Sequence, residues 1–322
     1  MRKIVYNGEM DQRLCKAVLS KTIPDILESD PNVIYLDADL MSCIGTLPYA
    51  KDHSERAINC GIAEANMVGV ACGLAAVGFK PIVHSFGPFA SRRCFDQVFL
   101  SAGYAKNDIT VIGTDPGVTA ALNGGTHMPF EDVALYRTIP NATVLEPSDP
   151  TALESVLRQC VDRPGVKYIR VGRKAHAKLY ADGSDIPIGK AIPLREGSDL
   201  VFFAAGIMVH EAMQAAQTLE AEGIHASVVD CFTIKPLDAD TVTAYAQKCG
   251  AAVVCENHNC HGGLYSAVTE VLAQRCPIPV ERVSVEDEYG EVGPQSYLQE
   301  RFGLTAEHAA AQARAVLARK KG

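Results

Sequence analysis

Between Val33 and Val171 short β-branched runs alternate with helix-length amphipathic segments, and this rhythm restricts the fold more than any other feature of the chain. The runs VIYLD, KPIVHSF, ITVIGT, ATVLEP and VKYIRV are separated by segments of helical period near residues 11–28, 63–77, 92–105 and 149–161. Strands joined by helix-length crossovers predict a parallel sheet flanked by helices. The rhythm stops between Lys174 and Ser198, where Asp182-Gly183-Ser184-Asp185, Pro187, Pro193 and Gly197 accumulate. It then resumes, with strands expected near 200–205, 225–230, 251–256 and 280–285 and helices near 207–222, 238–248, 263–274 and 305–319. The expected organisation is α/β in two domains, each a mainly parallel sheet: a larger domain over 1–175, a linker over 176–197 and a smaller domain over 198–322. A length of 322 residues suits two domains of ordinary size.

Composition narrows the partners. With 48% apolar and 21% charged residues the chain can bury two cores. The net charge is −8, and Lys and Arg are scattered rather than clustered, so no electrostatic footprint for nucleic acid or an anionic membrane is expected. No run of about 18 apolar residues occurs, and Met1–Glu9 lacks the apolar core of a signal peptide, which points to a cytoplasmic protein. The eleven cysteines lie singly, mostly in apolar stretches such as VACGLAA around Cys72, where a thiol acts as a small hydrophobe.

In an open parallel sheet, ligands gather beyond the carboxyl ends of the strands. The segments there are Asp37-Ala38-Asp39-Leu40, Gly61-Ile62-Ala63-Glu64, Ser85–Phe89, the loop Thr114–Pro129, and Arg170–Arg173. Glu64 opens an almost wholly apolar helix. Its carboxyl group either faces solvent at the positive end of the helix dipole, or sits in a dry cleft where the protonated form could hydrogen-bond a heterocyclic nitrogen. Phe86 and Phe89 follow a strand and suit either core packing or a platform for a flat ring. His127 ends a loop of small residues that can approach a ligand closely. Arg13, Arg170 and Arg173 could hold an anion or serve ordinary salt bridges.

The order of these segments carries more information than any one of them. ADL, GIAE-x-NMVG, F-x-x-F-x-x-x-R-x-FDQ, NGGTHMPFED and PSD, with ALYRTIPN at 134–141, VLEPSD at 144–149, Glu256-Asn257-His258 and Gly262-Gly263-Leu264, resemble the pyrimidine-binding and C-terminal domains of the transketolase family of thiamine diphosphate enzymes. The resemblance implies that Glu64 hydrogen-bonds N1′ of the cofactor's aminopyrimidine. It also implies that Phe86 and Phe89 stack near that ring and that Asp39 and Leu40 line the cofactor cleft. His127 is similar to a histidine that contacts substrate, and Arg13 and Arg173 to arginines that hold a sugar phosphate. The activity implied is transfer of a two-carbon ketol unit from a ketose to an aldose.

No Gly-Asp-Gly diphosphate anchor occurs, and Ala181-Asp182-Gly183 has no apolar strand before it. The resemblance therefore implies a separate N-terminal subunit that carries the anchor and binds most of the Mg²⁺, in a homodimer of heterodimers. Asn123 stands where the family has an aspartate that binds a sugar hydroxyl, Asp115 where many members have histidine, and Cys43 where many have a phosphate-contacting serine. A modified or branched sugar is thus an expected substrate. A 1-deoxyxylulose-5-phosphate synthase-like enzyme, a 2-oxo acid dehydrogenase E1 β-like subunit, and a structural or zinc-binding subunit using Cys255, His258, Cys260 and His261 are the competing readings.

Overall fold

The computed structural model describes residues 3–320. Seven strands form the first sheet: β1 (Val33–Asp37), β2 (Ala57–Asn59), β3 (Lys80–Phe86), β4 (Ile109–Thr114), β5 (Thr143–Leu145), β6 (Val166–Val171) and β10 (Thr233–Lys235). Their spatial order is β10-β5-β6-β4-β3-β1-β2. All neighbours are parallel except β10, which runs antiparallel to β5. The central strands β1, β3, β4 and β6 are buried almost throughout, which explains why their sequences are continuous apolar runs rather than alternating ones. Helices α1 (Cys15–Ser29), α2 (Glu64–Ala76), α3 (Asp132–Thr138) and α4 (Pro150–Cys160) flank this sheet.

The second sheet has the order β12-β11-β8-β9-β7, from β7 (Ile192–Arg195), β8 (Leu200–Ala204), β9 (Ala226–Asp230), β11 (Ala252–Asn259) and β12 (Val280–Val285). Only β7 is antiparallel. Helices α5 (Met208–Glu220), α6 (Ala239–Cys249), α7 (Leu264–Arg275), α8 (Gln295–Arg301) and α9 (Ala306–Lys320) cover it. The two-sheet α/β architecture is the one that the alternating pattern predicts.

Three departures matter for the site. The helix expected near 92–105 is broken into a 3₁₀ turn (Arg92–Cys94), one helical turn (Phe95–Gln97) and a π-helical stretch (Val98–Tyr104). The wide turns re-aim the side chains before them, and Asn107 ends the stretch by donating to the Ser101 carbonyl at 2.8 Å. Ile192–Arg195, within the segment expected to link the domains, is an edge strand of the second sheet. Thr233–Lys235, deep in the second half of the chain, completes the first sheet. Both strands are three or four residues long, too short for periodicity to reveal.

Candidate active site

Residues 57–64 bring Glu64 to the carboxyl edge of the first sheet. Parallel pairing of β2 with β1 fixes Asn59 beside Asp37, and Asn59 Oδ1 accepts the Gly61 N–H at 2.9 Å, turning the chain into α2. Glu64 is the first residue of that helix and is 1% exposed. Of the two placements open to it, it takes the buried one, but with polar neighbours. Ser85 Oγ donates to Glu64 Oε1 at 3.1 Å, and Arg93 Nη1 donates to Oε1 at 3.0 Å and Oε2 at 3.1 Å. These donors compensate the carboxyl group for the water it gives up on burial. Arg93 belongs to the F-x-x-F-x-x-x-R motif, but its link to Glu64 depends on the broken helix after Ser91, which sequence reading does not reveal.

Phe86 ends β3, and Phe89 lies in the helical turn Gly87–Ala90. Their ring centroids are 6.4 Å apart, and the His127 ring meets both edge-on, at 5.9 Å from Phe86 and 5.0 Å from Phe89. The Arg93 guanidinium lies 3.8 Å from the Phe89 centroid and that of Arg173 lies 4.9 Å from the Phe86 centroid, distances at which cations are attracted to aromatic faces. Packing at the turn requires a glycine: a Cβ on Gly87 would come within 2.7 Å of Pro129. Tyr136 anchors the same turn from below by donating to the Ala90 carbonyl at 2.6 Å.

The structure thus brings together Glu64, Phe86, Phe89, His127 and Arg173. Arg173 is held by Asp115, whose backbone adopts φ 56°, through Nε to Oδ2 at 2.7 Å, and its Nη1 reaches the Cys43 carbonyl at 3.4 Å. Asp39, also at positive φ, is exposed and tied to Asn59 by a 2.9 Å hydrogen bond, while Leu40 is half-buried beside it. Asn123 is exposed on the loop that ends at His127. Arg13 stands apart: its guanidinium is occupied by Asp11, Asp182 and Thr151 and touches none of this cluster. Beneath the site lies a network invisible to sequence reading, in which buried His84 places Nδ1 2.6 Å from Asp37 Oδ2 and Nε2 3.0 Å from Thr114 Oγ1. It ties together the carboxyl ends of β1, β3 and β4.

Arg170, one of the candidate anion-binding arginines, is fully buried and consumed by the fold. It pairs with Asp132 at 2.8 Å and Glu146 at 2.6 Å and donates to the Asn257 carbonyl at 2.6 Å, joining the first sheet to β11. The same seam is closed by Asn257, which accepts the Val118 N–H and donates to the Pro116 carbonyl, both at 3.0 Å. Gly117 must be glycine there, since it has φ 51° and a Cβ would lie 2.1 Å from Asn257 Oδ1.

The zinc reading fails on geometry. Among the described residues no group of three histidine, cysteine or acidic side chains converges as a metal site. Burial pushes the Cys255 thiol far above its usual range, and burial lowers His258 to about 4, with Nδ1 bonded to the Asn259 carbonyl at 2.8 Å. For thiamine diphosphate, these residues fit one half of the molecule. A buried carboxylate beside two phenylalanine rings suits an aminopyrimidine. Among the described residues, the charged partner of that carboxylate is an arginine whose side chain is 43% exposed.

Comparison with known proteins agrees in extent and order. Residues 13–177 match the family model described as transketolase, pyrimidine binding domain, and residues 189–309 match transketolase, C-terminal domain. The chain is 44% identical to the 6-deoxy-6-sulfo-D-fructose transketolase subunit SqwH of Clostridium sp. (strain MSTE9), over 98% of this chain and 99% of that one. It is 31% identical to one of the subunits of the apulose-4-phosphate transketolase of Phocaeicola vulgatus, over 91% and 94% of the two chains. A solved structure described as a split gene transketolase, inactive beta4 tetramer, superposes with a TM-score of 0.87 at 36% identity, covering 95% of this chain and 99% of that one.

Proposed function

The chain belongs to the transketolase family, and on that premise we propose that it is the C-terminal subunit of a split, thiamine diphosphate-dependent transketolase acting on a modified ketose with an anionic end. The observation that carries the reading is the buried Glu64 carboxylate beside the Phe86–Phe89 pair at the carboxyl edge of the sheet. Thiamine diphosphate, when bound, supplies the electron sink for breaking and making the carbon–carbon bond. Glu64 would hold the cofactor at the N1′ nitrogen through a shared proton, oriented by Ser85. Phe86 and Phe89 would bound the ring, and Asp39 and Leu40 would line the cleft.

On the substrate side, His127 is held edge-on to both phenylalanines, where it can contact the reacting carbonyl or hydroxyl. Arg173 is fixed by Asp115 through Nε and Nη2 and stacked on Phe86, and its Nη1, only loosely held by the Cys43 carbonyl at 3.4 Å, would turn to the anionic end of the ketose. Asn123, exposed on the same loop, suits a sugar hydroxyl. The printed names of two relatives, one for a sulfonated fructose and one for apulose 4-phosphate, support a substrate outside the common pentose phosphates.

The diphosphate and its Mg²⁺ belong, in this reading, to an N-terminal partner that carries Gly-Asp-Gly, in a cytoplasmic homodimer of heterodimers. Two relatives named as subunits align with the chain over nearly their whole length, which supports a division of the enzyme at this point. Ile62, two residues before Glu64, is 76% exposed and could meet a partner beside the site. No described helix is long and apolar enough to cross a membrane.

The test is ketol transfer from a 6-sulfonated or 6-phosphorylated ketose to an aldose, with thiamine diphosphate and Mg²⁺, by the chain alone and after mixing with a split-transketolase N-terminal subunit. Activity only in the mixture is expected. Turnover by the chain alone would overturn the divided site, and pyruvate consumption without ketol transfer would move the assignment to a deoxyxylulose phosphate synthase.

A further inference from the structure

A second pocket opens at the opposite edge of the first sheet, where β3, β4 and β6 begin. Its volume is about 280 Å³. Lys167, the second residue of β6, lines it and is only 2% exposed. In register it lies between Thr110 of β4 and Thr143 of β5.

The cations here are unequally satisfied. Lys80 is engaged by Asp30 at 2.8 Å and by Asp162. Among the described residues, by contrast, the side chains of Lys167 and Lys106 make no hydrogen bond or ion pair. Arg163 uses only Nε, which donates to Thr143 Oγ1 at 2.9 Å, leaving its outer nitrogens available. Asp108 also lines the pocket, and one of its oxygens is taken by the Gly165 N–H at 2.6 Å.

The Lys167 stem is buried while its ammonium reaches the open space of the pocket, where no described protein group pairs with it; lysines are seldom buried to this extent unless paired. Burial lowers the Lys167 amine to about 8, so it remains mostly cationic at neutral pH. An unpaired buried lysine with two further available cations at its rim matches a small multivalent oxyanion, whose oxygens can take several charged donors at once.

We propose that the Lys167 pocket is an anion site, separate from the active site, that binds a phosphate group as the free ion or as the head of a small phosphate ester. Lys167 supplies the floor, and Lys106 and Arg163 supply the rim. Asp108 limits the site to ligands that bring strong negative charge of their own. The proposal does not depend on the transketolase reading, because none of its residues belongs to the Glu64 cluster.

The experiment is a thermal-shift titration of the full chain with sodium phosphate and, separately, glycerol 3-phosphate, at constant ionic strength with chloride. Broadening of the ³¹P resonance provides an independent measure of binding. Wild type should gain about 2–4 °C at ten times Kd. Lys167→Met, close to lysine in length, should be more stable than wild type without phosphate and retain only the general salt response. Arg163→Gln should weaken binding several-fold without removing a buried group, and Arg173→Met in the active site should leave this response intact. A response to orthophosphate alone would identify the free ion, and a stronger response to glycerol 3-phosphate would identify an ester; either supports the site. Lys167→Met and Arg163→Gln both responding like wild type would overturn it.

Discussion

Two arginine–carboxylate clusters built from the same functional groups have opposite surroundings. At the active-site rim, Glu64 is 1% exposed but Arg93 is 43% exposed. At the seam between the sheets, Arg170 and Asp132 are both fully buried, with Glu146 4% exposed. The guanidinium at the rim faces water, so its charge does not depend on Glu64 alone for compensation. The seam has no such access. Apart from the Tyr168 hydroxyl on Asp132 and the Asn257 carbonyl on Arg170, its charges are compensated by one another, and removing one leaves the others stranded in a low-dielectric interior. Partner accessibility, rather than charge or residue type, separates the two clusters, and on the proposed function it is the accessible one that meets the cofactor.

The largest expected effect breaks the seam. Arg170→Met should cost about 3–5 kcal/mol of stability by stranding Asp132 and Glu146. Urea unfolding would measure it, and a loss below about 1 kcal/mol would show that the seam relaxes or admits water. The mirror experiment at the rim is Glu64→Gln. Turnover with the N-terminal partner should fall by about 10²–10³-fold, in the range of a lost acid–base group. Its thermal midpoint should stay near that of wild type, and a large drop would make Glu64 structural and erase the distinction.

A smaller effect is expected from Arg93→Met. Because the arginine is half-exposed, its loss should change stability by no more than about 1 kcal/mol, and thiamine diphosphate should bind at least as tightly to the assembled enzyme, measured by fluorescence quenching. Weaker cofactor binding would make Arg93 part of the cofactor site instead of a displaceable stand-in.

A pH dependence is also expected of the seam. Burial raises Asp230 to about 7 and Glu256 to about 7, whereas both titrate near 4 in an unfolded chain. The folded protein keeps these protons where the unfolded chain has released them, so this contribution to stability falls as pH rises from about 4 through 7. Asp230 accepts from Ser148 at 2.8 Å and Tyr180 at 2.7 Å across the seam. Asp230→Asn should therefore gain on wild type by about 2–3 kcal/mol between pH 5 and pH 8, compared by thermal unfolding at each pH. Parallel pH profiles would place the titration elsewhere.

Long strands and amphipathic helices are legible because burial on both sheet faces leaves continuous apolar runs and helix burial leaves a 3.6-residue period. Thr233–Lys235 is not, because three residues carry no usable period and its partner strand lies almost ninety positions earlier in the chain. Glu64, Phe86, Phe89 and His127 stand out by their order at strand ends. Arg93 lies in a motif of the same series, but only the irregular helix turns it back to Glu64. His84 reads as one polar residue within an apolar strand, and its partners Asp37 and Thr114 sit on the two strands paired with β3.

The sequence by itself determined the α/β class, the carboxyl-edge segments that carry the candidate site, and the family, since these depend on local period and on the order of motifs. Tertiary structure decided which charges are available. Arg13, Arg170 and Arg173 are equivalent as letters, but the fold ties Arg13 to Asp11 and Asp182, seals Arg170 in the seam and sets Arg173 over Phe86. The physical reason is that an ionic group's behaviour depends on its burial and neighbours, and those neighbours come from distant parts of the chain.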